Sequence, residues 1–190
     1  IVGALGGDAA DFSSFSITRT TDPLLRDEYW TVIPLDAASF PSDVESLRFF
    51  DVLAVDGFDM GTLTQRQQDA LDGWLKGGGV AVVGGGGKAA ENFGFFERYT
   101  GVSPGAVASG GDITVDLLKT FGLDGTPLGQ DVMTVSLKGG TGQSVGSAAL
   151  ADVTRVEKGY VVTAAFSISE KPLNAWLERN ALWQRLLLTF

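Results

Sequence analysis

Cysteine and histidine are both absent from the 190 residues of this chain. Without thiols it can form no disulfide, no zinc finger and no thiolate nucleophile. Without imidazole it lacks the side chain that most often shuttles a proton near neutral pH, so catalysis of the Ser-His or Cys-His kind is excluded. A cysteine-free chain suits either redox compartment and tilts only slightly toward export. Positive charge is also scarce: 14 Lys and Arg face 23 Asp and Glu, for a net charge of −9. That sign disfavours nucleic acid and anionic membrane surfaces as partners. By itself it describes a solubilising surface and names no ligand. No stretch approaches the roughly 20 uninterrupted apolar residues of a membrane span, and no signal peptide opens the chain. An initiating Met is missing too. The chain opens at Ile1 inside an apparent strand and stops at Phe190 on the apolar run LLLTF. It therefore reads as a piece of a longer protein, whose leader or spanning helix would fall outside these residues.

What is present is an ordinary globular composition, 44% hydrophobic and 19% charged, which places the chain far from intrinsic disorder. Its length suits a single domain over residues 1–190 with a sizeable core. The organising stretch runs from Phe49 to Lys88 (FFDVLAVDGFDMGTLTQRQQDALDGWLKGGGVAVVGGGGK). Two short apolar runs, Val52 to Val55 and Val80 to Val83, have the character of strands covered on both faces. Between them Leu63, Ala70, Leu71, Trp74 and Leu75 recur at helical spacing and form one buried stripe. Thr64 and Gln67 stand at capping-box spacing, and Gly77 to Gly79 supply the stop. Strand, helix and strand make a right-handed crossover, which obliges the two strands to run parallel.

Elsewhere the signals are shorter. Ile1 to Leu5 is a first strand ending in Gly6-Gly7-Asp8, Ala9 to Ser16 a short helix, and Thr18 to Asp22 a polar loop. Tyr29 to Leu35 is a second strand, in which Pro34 marks an edge or a terminus. Ser42 is placed to cap a short helix through Leu47. Lys88 to Tyr99 is a helix weakened by Gly94. From Thr100 to Gly129 the Gly, Ser and Pro content leaves no clear element beyond a helical turn at Asp116 to Phe121. Asp131 to Leu137 alternates like a strand, and Lys138 to Gly146 is a Gly-rich loop. Ala149 to Val156 and Gly159 to Phe166 flank a turn at Glu157-Lys158-Gly159, the pattern of a β-hairpin. A last helix over Pro172 to Leu188 sets Leu173, Trp176, Leu177, Leu182, Trp183, Leu186 and Leu187 near one face, with Asn180 as a point of interruption. The expected fold is α/β: three or four parallel strands first, an antiparallel hairpin near the C-terminus, and helices on both faces of an open, mostly parallel sheet.

Candidate chemistry gathers where the strands should end. Asp8, Asp36, Asp56 and Asp59 fall there, at the edge where open α/β sheets bind ligands. Grouped carboxylates hold Mg²⁺ or Ca²⁺ or divide acid and base roles; equally, Asp favours loops and helix starts for its own hydrogen bonds. Gly84, Gly85, Gly86 and Gly87 lie between a strand and a helix, where backbone N–H groups can cradle phosphate. However, GGGGKAA lacks the P-loop hydroxyl, and Ala89 stands where the dinucleotide fingerprint needs glycine, so a tight strand-to-helix turn is the better reading. Ser13, Ser14, Ser103, Ser109, Ser144 and Ser147 have no GxSxG context and no His to activate them; a Ser–Lys pairing through Lys88 is the remaining route. Trp74, Trp176 and Trp183 lie on helical stripes and read as core, as does Trp30 beside Tyr29.

Two segments carry a family resemblance. FDVLAVDGFDMGTLTQRQQDALDGWLKGGGVAVVGGGG and KGYVVTAAFSISEKPLNAW resemble the class I glutamine amidotransferase-like domains of large bacterial envelope proteins. The matching positions are Leu63, Thr64, Gln67, Ala70, Leu71, Trp74, Gly77, Gly78 and Gly84 to Gly86, then Lys158, Gly159, Val161, Pro172 and Leu173. The resemblance covers about half the chain and implies a three-layer, flavodoxin-like fold. Members with activity carry a nucleophilic Cys on the turn that Gly84 to Gly87 occupy here, and a His and a Glu later on. With neither thiol nor imidazole, the resemblance carries over the architecture and no catalytic residue. The expectation is a non-catalytic amidotransferase-like module without cofactor or metal. It would act as a ligand- or protein-interaction domain exposed outside the cytoplasm on a membrane-anchored bacterial protein. The alternatives are a carboxylate- or Mg²⁺-dependent hydrolase using Asp8, Asp56 and Asp59, and a sugar or nucleotide pocket at Gly84 to Gly87.

Overall fold

A computed structural model describes residues 1–8, 10–15, 17–18 and 28–187. In chain order the elements are β1 (Val2–Leu5), β2 (Ile17–Thr18), β3 (Glu28–Tyr29), β4 (Val32–Leu35), α1 (Val44–Leu47), β5 (Val52–Val55), α2 (Gln65–Gly77), β6 (Val80–Val83), α3 (Ala89–Phe93), α4 (Glu97–Thr100), β7 (Val102–Ser109), α5 (Thr114–Phe121), β8 (Met133–Gly139), β9 (Gln143–Val145), β10 (Ala151–Val156), β11 (Gly159–Ala164) and α6 (Arg179–Leu187). Seven strands form one sheet in the order β4-β1-β5-β6-β11-β10-β9. The first five are parallel, β10 runs antiparallel to β11, and β9 runs antiparallel to β10. Numbered along the chain, the parallel strands stand 2-1-3-4-5, the flavodoxin-like order. β2 pairs with β3 and β7 with β8 as separate antiparallel ribbons.

The crossover lies where the sequence places it. β5 and β6 pair in parallel from Val52 with Val80 to Val55 with Val83, and Leu63, Ala70, Leu71, Trp74 and Leu75 are all buried. Together with Leu5, Leu53, Val55, Val83, Phe93 and Phe96 they fill the core on one sheet face. The other face carries Val2, Ala4, Val52, Val82 and Val162 against Phe12, Phe15, Leu117, Trp183 and Leu186. Helices thus cover both sides of a sheet whose central strands read as unbroken apolar runs.

Thr64 caps α2 by accepting a hydrogen bond from the Gln67 amide at 3.3 Å, while Gln67 Oε1 accepts one from the Thr64 amide at 2.8 Å. Gln67 does more than close the box. Its Nε2 donates to the Ala37 and Phe40 carbonyls, both at 2.8 Å, and so fastens the loop after β4 to the helix start. Thr64→Ala is expected to cost about 1 kcal/mol, the usual value of a cap. Gln67→Ala should cost about 2–3 kcal/mol, because two inward carbonyls lose their donor together. Urea unfolding midpoints measure the difference, and equal losses would refute the second role.

Several expected elements differ. The residue capping α1 is Asp43, which accepts from the Ser46 amide, and not Ser42. Around Ala9 to Ser16 there is a 3-10 turn at Ser13–Phe15 in place of a helix, with Ala9 and Ser16 outside the described residues. The polar loop at Thr18 to Asp22 lies outside them beyond Thr18, which belongs to β2. Pro34 sits on the sheet's edge strand, as a residue without an amide donor must. The helix at Lys88 to Tyr99 is split into α3 and α4 around Gly94. The unassigned stretch after Thr100 holds an eight-residue strand, β7. Within the Gly-rich loop, Gln143–Val145 adds a strand to the sheet edge. The last helix breaks at Trp176, whose ψ of 138° is extended, and not at Asn180, which lies inside α6. The break turns Leu177 outward, 84% exposed, while Trp176 remains buried with its indole N–H donating to the Thr126 carbonyl at 2.9 Å. No helix among the described residues is long and apolar enough to cross a membrane.

Candidate functional site

All five parallel strands end at one edge of the sheet, and the candidate residues follow them: Asp8 after β1, Asp36 after β4, Asp56 after β5, Gly84 after β6 and Ser167 after β11. The strand order reverses between β1 and β5, where this fold class opens its crevice. Here that point is closed by backbone. Gly6 has φ +91°, and a Cβ on it would lie 2.0 Å from the Asp56 carbonyl oxygen. Only glycine lets the two loops approach so closely.

Asp56 is fully buried. Its Oδ2 accepts hydrogen bonds from Ser167 Oγ at 2.6 Å, the Ile168 amide at 2.8 Å, the Ser169 amide at 3.0 Å and Ser169 Oγ at 2.9 Å. Its Oδ1 accepts from Asn92 Nδ2 at 3.0 Å. The same Asn92 amide donates to the Gly84 carbonyl at 2.7 Å, and Asn92 Oδ1 accepts from the Gly57 amide at 2.7 Å. One carboxylate and one carboxamide thereby bind the loops after β5, β6 and β11 to each other. Five donors thus converge on this carboxylate, four of them on Oδ2 and one on Oδ1.

The glycine turn is packed as tightly. A Cβ at Gly84 would fall 2.7 Å from Asp56 Cγ, and one at Gly85 only 2.3 Å from the Ala164 carbonyl oxygen. Gly85 and Gly86 donate their amides to the Phe166 and Ala165 carbonyls at 2.9 and 3.3 Å, so these N–H groups are engaged by the backbone just after β11. The ribbon of β7 and β8 lies across the turn, with the Val135 amide donating to the Ala165 carbonyl at 2.7 Å and Met133 Sδ 3.6 Å from where a Cβ of Gly87 would sit. The turn expected from the sequence is present. Side chains are absent there because nothing larger than hydrogen fits at its first two positions.

The remaining aspartates serve their own loops. Asp36 Oδ1 accepts from Ser39 Oγ and from the amides of Ser39 and Ala38, bonds that hold its carboxyl below the usual range. Asp59 caps a 3-10 turn by accepting from the Gly61 amide at 2.8 Å. Asp8 is exposed, and its amide donates to Asp11 Oδ2 at 2.9 Å. Asp8, Asp56 and Asp59 therefore share an edge without converging, and among the described residues no three acidic side chains are grouped to hold a metal ion. Asp59 does border an open cleft of about 520 Å³ with Gln68, Glu91 and Phe95.

Lys88 pairs with Glu170 at 3.0 Å, and this hydrogen bond, with the nearby carboxylates, holds its ammonium above the ordinary value. Of the candidate nucleophiles, Ser109 donates to Asp131 and Ser147 to Asp116. Ser14 is buried. The residues that sequence reasoning missed are Asn92, Ser167 and Ser169. The only local trace of the two serines was the run FSISE directly after a strand, and nothing local marked Asn92.

No family model matches the chain, and no curated protein does. Solved structures do. A cytoplasmic protein from Salmonella typhimurium LT2 aligns with a TM-score of 0.64 at 12% identity, over 99% of this chain and 98% of its own. A second cytoplasmic protein from Salmonella typhimurium aligns with a TM-score of 0.60 at 11% identity, over 100% of this chain and 98% of its own. At this identity the likeness shows the fold. It also overturns the expectation of an extracytoplasmic, membrane-anchored setting. Both of these proteins, which share the fold from end to end, are described as cytoplasmic.

Proposed function

We propose that this chain is a non-catalytic binding module on a class I glutamine amidotransferase-like scaffold, with a small molecule or a protein as its partner and no role for nucleic acid. Glutamine hydrolysis needs an activated thiolate attacking the amide and an imidazole to move the proton, and the sequence contains neither atom set. The observation that carries the reading is the packing at Gly84 and Gly85. A side chain there would strike the Asp56 carboxyl or the β11 backbone, so the turn is shaped around the absence of a nucleophile. The carboxylate nearest to it, Asp56, is spent on holding loops together. The acidic surface argues against polyanions. Incubating the purified protein with glutamine and measuring ammonia by a coupled dehydrogenase assay tests the proposal. No release above the buffer blank is expected, and a rate that saturates with glutamine would overturn it.

A further inference from the structure

At the opposite end of the sheet, away from the glycine turn, a cleft of about 530 Å³ opens among β9, β10, β11, α5 and α6. That size lies within the roughly 300–1,000 Å³ of small-molecule sites. Phe121, Val145, Val153 and Leu186 give it an apolar wall with Tyr160 beside them, and Thr120, Gln143 and Ser144 add polar groups at its border. The register pairs Tyr160 with Arg155 across β10 and β11, and Arg155 is the one charged side chain lining the cleft. In a chain with 23 acidic residues against 14 basic ones, a cleft lined by a cation and no carboxylate stands apart from the general surface. Three other cations are ion-paired, Arg48 with Glu45, Lys76 with Asp72 and Lys88 with Glu170. Arg155 is in no ion pair among the described residues. Its Nε donates to the Glu157 carbonyl at 2.8 Å. This hydrogen bond orients the guanidinium at the hairpin turn and leaves its terminal amino groups as donors.

We infer that this cleft binds a small monocarboxylate with an apolar body, the carboxylate on Arg155 and the body against Phe121, Val153 and Leu186. A single guanidinium fork matches a single carboxylate through two parallel hydrogen bonds, and the apolar wall of Phe121, Val153 and Leu186 offers the body a place out of water. The inference deepens the binding reading above and rests on it, yet it fails separately. Ammonia release would refute the first, whereas the outcomes below decide only the second.

Octanoate and octanol share a tail and differ in the head, so they serve as the probe pair, titrated into the isotope-labelled full chain and followed by amide chemical shifts. Saturable octanoate shifts confined to β9, β10, β11 and the ends of α5 and α6 are expected, with octanol binding at least about ten-fold more weakly. Arg155→Gln should weaken octanoate by about ten-fold or more and leave octanol unchanged, while Arg155→Lys retains part of the preference. Because Arg155 is exposed, an unchanged thermal midpoint verifies that the variants are folded. Absence of octanoate shifts, equal affinity for the two probes, insensitivity to Arg155→Gln, or shifts centred on Gly84 to Gly87 would each overturn the assignment.

Discussion

Asp56→Ala is expected to lower the unfolding free energy by about 3–5 kcal/mol, the range seen when one member of a buried charged network is removed. Total stabilities of such domains are about 5–15 kcal/mol, so a loss of this size brings the protein near its folding threshold. The cause is not the lost carboxylate alone. Removing it strands the hydroxyls of Ser167 and Ser169, the amides of Ile168 and Ser169, and one N–H of Asn92, in a place where water cannot replace the acceptor. Asp56→Asn should fare little better, since its NH₂ group would confront N–H and O–H donors. Urea titration by circular dichroism provides the measurement. A midpoint for Asp56→Ala within about 1 kcal/mol of the parent would mean that the loops do not depend on this carboxylate, and the case for its purely structural role would fall with it.

Placing a thiol on the glycine turn tests the other half of the site. Gly85→Cys should destabilise by about 3 kcal/mol or more, because its Cβ would fall 2.3 Å from the Ala164 carbonyl oxygen and 2.8 Å from the Ala165 carbonyl carbon. Both atoms belong to backbone that cannot turn aside, and overpacking of this kind exceeds the usual 1–3 kcal/mol. Gly87→Cys is the control. The nearest atom to its Cβ is Met133 Sδ at 3.6 Å, an ordinary contact on an exposed residue, so a change within about 1 kcal/mol is expected. Thiol labelling separates the two, with Cys at 87 reacting in the folded protein and Cys at 85 only after unfolding. Neither variant should release ammonia from glutamine, since no imidazole stands ready to move the proton. A stable, reactive Gly85→Cys protein would show that the turn can open, and the argument from packing would no longer hold.

How far the sequence reached depends on the range of the interactions involved. Asp36 and Asp59 bond within three residues of themselves, and the reading of Asp as a loop and cap former anticipated them. Asp56 belonged to the same candidate set, but its partners lie 36 and 111 to 113 residues away. No spacing rule connects them. The strand β7 was invisible for a related reason. Its sequence, VSPGAVAS, contains Pro and Gly, which argue against a strand, and it becomes one through pairing with β8.

The alternation of short apolar runs with an amphipathic, capped helix was enough to determine the α/β class, the parallel pairing of β5 with β6, and the hairpin of β10 and β11. Each of these follows from the backbone and its nearest neighbours in the chain. The missing Cys and His were likewise sufficient to remove thiol and imidazole chemistry, since no fold can supply an atom the chain lacks. Tertiary structure alone decided that β11 inserts beside β6, that the glycine turn is sealed, that Asp56 is buried as a tie between loops, and that Arg155 lines a cleft with Phe121, Val153 and Leu186. Those outcomes depend on which distant segments share space once the sheet closes, and close packing permits one arrangement at each place.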